Sequence, residues 1–425
     1  MPEFPKPEAL LRMLSTQGIK DAEIYFTGAS TLSIEYAGNT YKTKEFSEDA
    51  GYGIRIIKNG RVGFSHTNIP GNFQKVAKTA EHLSKISPKT KFAFSPQPKK
   101  YPKLKGCETS IAGLPPEIAF TAVEEILEAM KKRAEPTRVS VSISEGRESI
   151  ANSEGLSTES NCTAVSIYAE AKKGKGMGYS LYSSRFLPKS FRRFGEEAGK
   201  IAAIMVESKP IPSQKLTVKF SPHMLSSLLS FLMFNFDGDN KRRGITRLKK
   251  GQKKFDSSFT LISDPLADAD SSCPFDGEGA PSAPLPIVEK GVVRNFLYDK
   301  YTAALEGINE GGSCQRTDYA SIPSPGITNL VIAPGKFSGK EEKYLEVFSF
   351  HGLHTADPVS GNFGVNVDIS VLHENGKKTP VSDILLTGNI FNLFNSIKHF
   401  GNVQHVDGSL VSPEVWFENV QIIGK

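Results

Sequence analysis

The chain reads as an α+β protein in two parts. Residues 1–209 form an N-terminal α/β region with helices on an antiparallel or mixed sheet, and residues 210–425 form a C-terminal curved antiparallel β region. Three observations predict this. Helical and two-residue apolar spacings alternate up to about residue 208. Beyond that point the segments are β-rich and punctuated by Gly, Pro and Asn. Pro210-Ile211-Pro212-Ser213 separates the last long helical pattern from a new strand, where a boundary belongs. A length of 425 residues is enough for two or three units with cores of their own.

Taken in order, residues 7–17 carry Leu10, Leu11 and Leu14 at helical spacing. Residues 22–26 and 31–36 alternate as strands. Two further strands, 51–57 and 61–65, flank Lys58-Asn59-Gly60, and Asn-Gly between such runs predicts a hairpin. Phe73, Val76, Ala77, Ala80 and Leu83 predict a helix over 72–87. Residues 88–115, rich in Pro, Lys and Ser, predict an extended connector. A helix over 116–133 follows, then strands over 139–145, 148–152, 163–170 and 175–183, and a helix over about 189–208. Past the boundary, Leu216, Val218 and Phe220 mark a strand leading into an apolar helix. One late helix is expected over 389–398.

Composition narrows the class. A formal charge of +6, with 38% hydrophobic and 23% charged residues, is ordinary for a soluble globular protein. Met1-Pro2-Glu3 runs straight into an amphipathic helix, unlike a signal peptide. The apolar run 224–236 is too short for a bilayer and is broken by serines and an asparagine. The four cysteines, Cys107, Cys162, Cys273 and Cys314, contain no C-x-x-C, so neither a zinc knuckle nor a disulfide framework is indicated. A reduced, cytoplasmic protein is the expectation. Residues 241–254 carry eight basic residues and no acid. A solvated face is favoured there over a nucleic-acid contact, because no aromatic residue interleaves the run.

Several motifs carry a resemblance over nearly the whole chain. In the first half they are Ala22-Glu23-Ile24-Tyr25, Gly53-Ile54-Arg55-Ile56-Ile57, Gly60-Arg61-Val62-Gly63-Phe64 and Asn152-Ser153-Glu154-Gly155. In the second half they are Phe275-Asp276-Gly277-Glu278-Gly279-Ala280-Pro281, Leu297-Tyr298-Asp299 and Asp357-Pro358-Val359-Ser360-Gly361-Asn362-Phe363. Thr387-Gly388-Asn389-Ile390 completes them. Together they resemble the TldD/PmbA family, in which one subunit type carries a His-Glu-x-x-x-His zinc motif on the helix after residue 221. Aligning Leu228-Leu229 and Asp237-Gly238-Asp239 on that pattern puts Ser230, Phe231 and Asn235 where the His, Glu and His would stand. Ser and Asn are poor zinc ligands and Phe cannot be a general base. The family's third ligand, a cysteine near the C-terminus, is also missing, since residues 401–412 offer only His405 and Asp407.

The resemblance therefore implies the PmbA (TldE) branch: a non-catalytic subunit with no catalytic residues and no cofactor of its own. It would act with a zinc-bearing TldD-like subunit, or with itself as a dimer, on small or unfolded peptides. Two other readings stand beside it: a homodimeric peptidase using unrecognised metal ligands, and a DNA-binding protein, since the family's historical name links it to DNA gyrase. Nucleic acid and membrane are not expected as partners. Five residues are candidates for a peptide groove: Asp276, Glu278, Arg316, His351 and His354. Asp276 and Glu278 sit on a Gly-rich turn that fixes a cleft wall or binds ligand directly. Arg316 clamps a peptide carboxylate or bridges Asp299 or Asp318 inside the fold. His351 and His354 are read as groove-lining, because two histidines supply too few metal ligands. Asn375-Gly376 makes His373-Glu374 part of a hairpin and not a zinc motif.

Overall fold

The computed structural model describes residues 4–104, 117–309, 311–335 and 341–424. Helix α1 (Pro7–Thr16) precedes strands β1 (Ala22–Ala37), β2 (Thr40–Lys58) and β3 (Arg61–Thr67), then helix α2 (Phe73–Ser84). After the connector come α3 (Glu117–Lys131), β4 (Glu135–Asn152), β5 (Ser157–Lys173), β6 (Gly176–Ser184) and α4 (Arg192–Met205). These six strands form one antiparallel sheet in the order β3-β2-β1-β4-β5-β6.

The two strands expected over 22–26 and 31–36 are one continuous strand, β1, and those over 139–152 are likewise one, β4. The reason is pairing. Gly28 and Ala29 break the apolar alternation, but β1 is hydrogen-bonded on both sides, to β2 and to β4, through that point. A ladder on two edges holds extended backbone where propensity is weak. The predicted hairpin turn has Asn59 and Gly60 at φ of 53° and 70°, the left-handed pair such a turn requires. Ile24, Tyr52, Ile54 and Ile56 bury against α1 and α2, while Val139, Val141, Val165 and Ile167 bury against α3 and α4. Residues 105–115 of the expected connector, and residue 116 of the expected helix, lie outside the described residues. Residues 88–104 form no helix, pair with a strand only through the bridge between Arg61 and Lys89, and bury Phe92 and Phe94.

The second half opens with β7 (Gln214–Phe220), α5 (Pro222–Met233) and the short α6 (Gly238–Arg242). Strands β8 (Leu261–Ser263), β9 (Leu285–Glu289) and β10 (Val292–Val293) lead to α7 (Lys300–Glu306). Short strands β11 (Cys314–Gln315), β12 (Ser324–Pro325) and β13 (Leu330–Ile332) follow. The rest is β14 (Lys343–His351), β15 (Asn362–Glu374), β16 (Lys377–Val381), β17 (Ile384–Asn389), α8 (Ile390–Leu393), β18 (Ile397–Asp407) and β19 (Leu410–Ile423). Because β7 pairs with both β14 and β19, the strands β19-β17-β15-β14-β7 close on themselves. Closure leaves no open edge among these five. Their inner side chains, with α5, make the largest core.

The late helix expected over 389–398 is only the four-residue α8. Asn389 starts it by accepting from the backbone N–H of Phe391 at 3.1 Å. From Ile397 the chain enters β18, where pairing with β19 outweighs helical spacing. Helix α7 went unpredicted. Its signal is Asp299, whose side chain caps it by accepting from the N–H groups of Tyr301 and Thr302. Among the described residues, no helix is long and apolar enough to cross a membrane.

Candidate functional site

Helix α5 is positioned by its apolar stripe. Met224, Leu225, Leu228, Leu229 and Leu232 are buried, so the helix is clamped in the closed β core. Ser230 points the other way and is exposed, while Phe231 packs partly buried against that core. The helix stops at Met233 and tightens into a 3₁₀ turn over Phe234–Phe236, which contains Asn235. Asn235 is 0% exposed, and both ends of its amide are hydrogen-bonded. Nδ2 donates to the Pro358 carbonyl at 2.7 Å, and Oδ1 accepts from Thr246 Oγ1 at 3.1 Å. An exposed hydroxyl, a packed ring and a buried, hydrogen-bonded amide do not make a zinc site, which needs several imidazole, thiolate or carboxylate donors converging. No metal-dependent step can be assigned to these residues.

A second cluster lies where the two sheets meet. Cross-strand neighbours Glu23 and Arg55 form a buried bidentate pair, with Nε and Nη2 each 2.9 Å from a carboxylate oxygen. Arg55 Nη1 donates to Glu278 at 3.0 Å, and Glu278 is 1% exposed. The loop carrying Glu278 enters the six-stranded sheet bodily: Phe275 packs with Tyr25, Ile150 and Leu156. Tyr101 donates to the Gly279 carbonyl at 3.0 Å. Gly279 has φ of +73°, and a Cβ there would come within 2.7 Å of Leu156, so the turn and its close approach both demand glycine. Arg316 donates from Nε to the Gly277 carbonyl at 2.7 Å and pairs with Glu23. Its guanidinium lies 4.4 Å from the Tyr25 ring centre. Its partner is therefore Glu23, and neither Asp299 nor Asp318.

The protonation of this cluster follows from its surroundings. Despite burial, Arg55 and Arg316 hold the Glu23 carboxyl below its ordinary value, and Glu23 and Glu278 keep Arg55 firmly charged. Burial, and then the charge of Glu278, push the Asp276 carboxyl up to about 7. The same two causes push Asp299 to about 6. Burial likewise raises Glu148 and holds the Cys314 thiol protonated. Five carboxyl groups face two guanidiniums, so the excess is relieved by protons.

Asp276, Glu278 and Cys314 lie close enough to share an ion. Their donors are already in use. Glu278 accepts from Arg55 and from the Lys300 backbone N–H at 2.8 Å. Asp276 accepts from the N–H groups of Glu278 and Ala280, both at 2.9 Å, and from the Cys314 thiol at 3.3 Å. With two guanidiniums beside them, these groups suit a proton-bearing interdomain joint better than a cation site.

The structure thus brings Asp276, Glu278 and Arg316 together, buried, and leaves His351 and His354 apart from them. His351 ends β14, is 62% exposed and pairs with Asp368 at 2.9 Å. His354 is exposed on a 3₁₀ turn after Gly352. The following turn, Asp357 to Asn362, supplies the Pro358 carbonyl that holds Asn235. Much of the basic run is tied down internally. Lys241 pairs with Glu306, Arg242 and Arg243 with Asp239, and Lys254 sits over Phe391. Glu23 and Arg55 were not singled out as site residues from sequence. The available signal is a charge within each of two paired, otherwise apolar strand segments, Ala22-Glu23-Ile24 and Ile54-Arg55-Ile56. Beside the acidic loop opens a cavity of about 1060 Å³, with Ala280 and Pro281 in one wall.

These features define a class: a two-sheet α+β chain whose second sheet closes on itself around the helix that follows β7. Comparison with known proteins makes it specific. Models of the PmbA/TldA metallopeptidase domain 1, central domain and C-terminal domain match residues 22–86, 112–206 and 213–424. The chain belongs to the PmbA/TldD metallopeptidase family. An uncharacterized protein of Methanocaldococcus jannaschii is 29% identical over 432 residues, covering 97% of this chain and 98% of its own. A metalloprotease TldD homolog of Buchnera aphidicola is 24% identical over 425 residues, covering 92% and 87%. The crystal structure of TldE from Thermococcus kodakarensis superposes with a TM-score of 0.87 at 23% identity, over 98% of this chain and 99% of that one.

Proposed function

We propose that this chain is the non-catalytic, PmbA (TldE)-type subunit of a TldD/TldE-type metalloprotease that acts on small or unfolded peptides. The observation that carries the reading is Asn235. A residue aligned with a zinc-binding histidine is fully buried, with its amide donor and acceptor both spent on Pro358 and Thr246. Ser230 and Phe231, at the other two positions, add no donor that binds zinc well and no base. In this reading a zinc-bearing TldD-like partner supplies metal and general base. This chain contributes shape, strand edges and positive charge to a shared chamber that holds the peptide.

The test is to purify the chain alone and with a zinc-bearing family member, then measure metal content by mass spectrometry and cleavage of unstructured peptides. The expected result is less than about a tenth of an equivalent of zinc in the isolated chain, with peptidase activity appearing only in the complex. A full equivalent of zinc with activity in the isolated chain overturns the reading. So does failure to form a complex together with no gain in activity.

A further inference from the structure

Three lysines gather in the cavity beside the acidic loop. Lys89 and Lys91 enter it from the connector, Lys300 from the first turn of α7, and Ala280 and Pro281 face them across about 1060 Å³. Among the described residues, no carboxylate lines this cavity, and none of the three ammonium groups has an ion-pair or hydrogen-bond partner. Elsewhere the chain does neutralise such cations: Lys219 lies between Glu346 and Glu414, Lys241 against Glu306, and Arg242 against Asp239. The nearest buried acids are already committed. Glu278 accepts from Arg55 and the Lys300 N–H, and Asp299 caps α7.

Like charges held together in a concave, partly apolar site raise the local potential and favour an anion. Phe92 is packed edge-on to Tyr301 at 6.0 Å and gives the cavity an apolar wall. Its volume lies just above the range of about 300–1,000 Å³ typical of ligand pockets, more than one inorganic anion fills. The cations come from two separate stretches of chain, which spreads them along the site instead of focusing them on one point.

We propose that this cavity binds an acidic segment of an extended peptide, its carboxylates held by Lys89, Lys91 and Lys300. The inference deepens the peptide-handling role proposed above by naming the class of peptide. It is tested on the isolated chain, so its failure is separate from any failure of the partner reading. A fluorescein-labelled hexapeptide of alternating Glu and Ala is titrated by anisotropy against its Gln counterpart, at low and at physiological salt. The Glu peptide is expected to bind about tenfold more tightly, with the difference shrinking as salt screens it. Lys89→Gln, Lys91→Gln and Lys300→Gln together should abolish the preference without lowering the melting temperature. Lys91→Glu alone, on the exposed connector, should weaken the Glu peptide and not the Gln peptide. Equal binding of the two peptides by the unmodified chain overturns the proposal, as does a preference that survives the triple substitution in a folded chain. Inorganic pyrophosphate binding more tightly than the Glu peptide overturns the assignment to a peptide.

Discussion

Asp276→Asn is the substitution whose effect the buried cluster defines most sharply. The asparagine Oδ1 keeps the two backbone bonds from Glu278 and Ala280, each 2.9 Å in the parent. Its amide nitrogen replaces the oxygen that faces Cys314 Sγ at 3.3 Å, and the thiol can turn to accept. What disappears is a buried charge. The Asp276 carboxyl sits at about 7 in the fold against an ordinary 3.8. The folded chain therefore holds this proton more tightly than the unfolded chain. Its contribution is fully present below the ordinary value and is lost as pH rises through about 7. At 1.36 kcal/mol per unit, the difference of about three units is worth up to about 4 kcal/mol. An amide does not titrate, so the variant escapes the loss. It should match the parent below about pH 4 and exceed it increasingly toward neutrality, with the gap level above about pH 7. Between about pH 5 and 8 the gap should widen by about 2–3 kcal/mol, or roughly 3 °C in melting temperature. Scanning calorimetry of both chains across that range is the assay. Parallel curves, or a variant less stable than the parent at the alkaline end, would refute the reasoning.

Three other substitutions test the surrounding argument. Arg55→Met removes the cation that Glu23 and Glu278 share, leaving Glu23 with Arg316 alone and Glu278 without its ion-pair partner, and should cost about 3–5 kcal/mol in urea unfolding. Adding Glu23→Gln and Glu278→Gln to that variant should recover much of the loss. Asn235→Ala leaves the Pro358 carbonyl and the Thr246 hydroxyl without their partner and should cost about 1–3 kcal/mol, with the zinc content of the isolated chain unchanged. Gly238→Ala would set a Cβ 2.3 Å from the Tyr298 ring and 2.5 Å from the Leu297 carbonyl, so a loss of about 1–3 kcal/mol is expected by thermal denaturation.

The fold was legible wherever a periodic apolar pattern coincided with a turn signal. Asn59-Gly60 and Asn375-Gly376 are cases, since both pairs adopt the positive φ values that their chemistry permits. Errors fell where tertiary pairing overrode local preference. Gly28 and Ala29 read as a break, yet two neighbouring strands carry β1 through them. Ile397 read as helix, yet β19 recruits it into a ladder. The closure of β7 onto both β14 and β19 joins strands near residues 218, 346 and 417, and no local pattern announces such a meeting.

The site was legible only in part, for a different reason. Core-facing residues of α5 are constrained by packing, so Leu228, Leu229 and Leu232 still mark the helix clearly. The positions aligned with the metal motif face other surroundings, exposed at Ser230 and fully buried at Asn235. Asn235 bonds the helix end to the turn at Pro358. The residue types at these positions could be read by alignment, while the bonds that Asn235 makes could not. Charge behaves similarly. The sequence makes the run at 241–254 conspicuous, but much of it is neutralised or packed against rings in the fold. Lys89, Lys91 and Lys300 are unremarkable in sequence and far apart along it, yet they share one cavity without a described counter-charge. Local density of charge predicts solvation, whereas unneutralised charge brought together by folding points to a ligand.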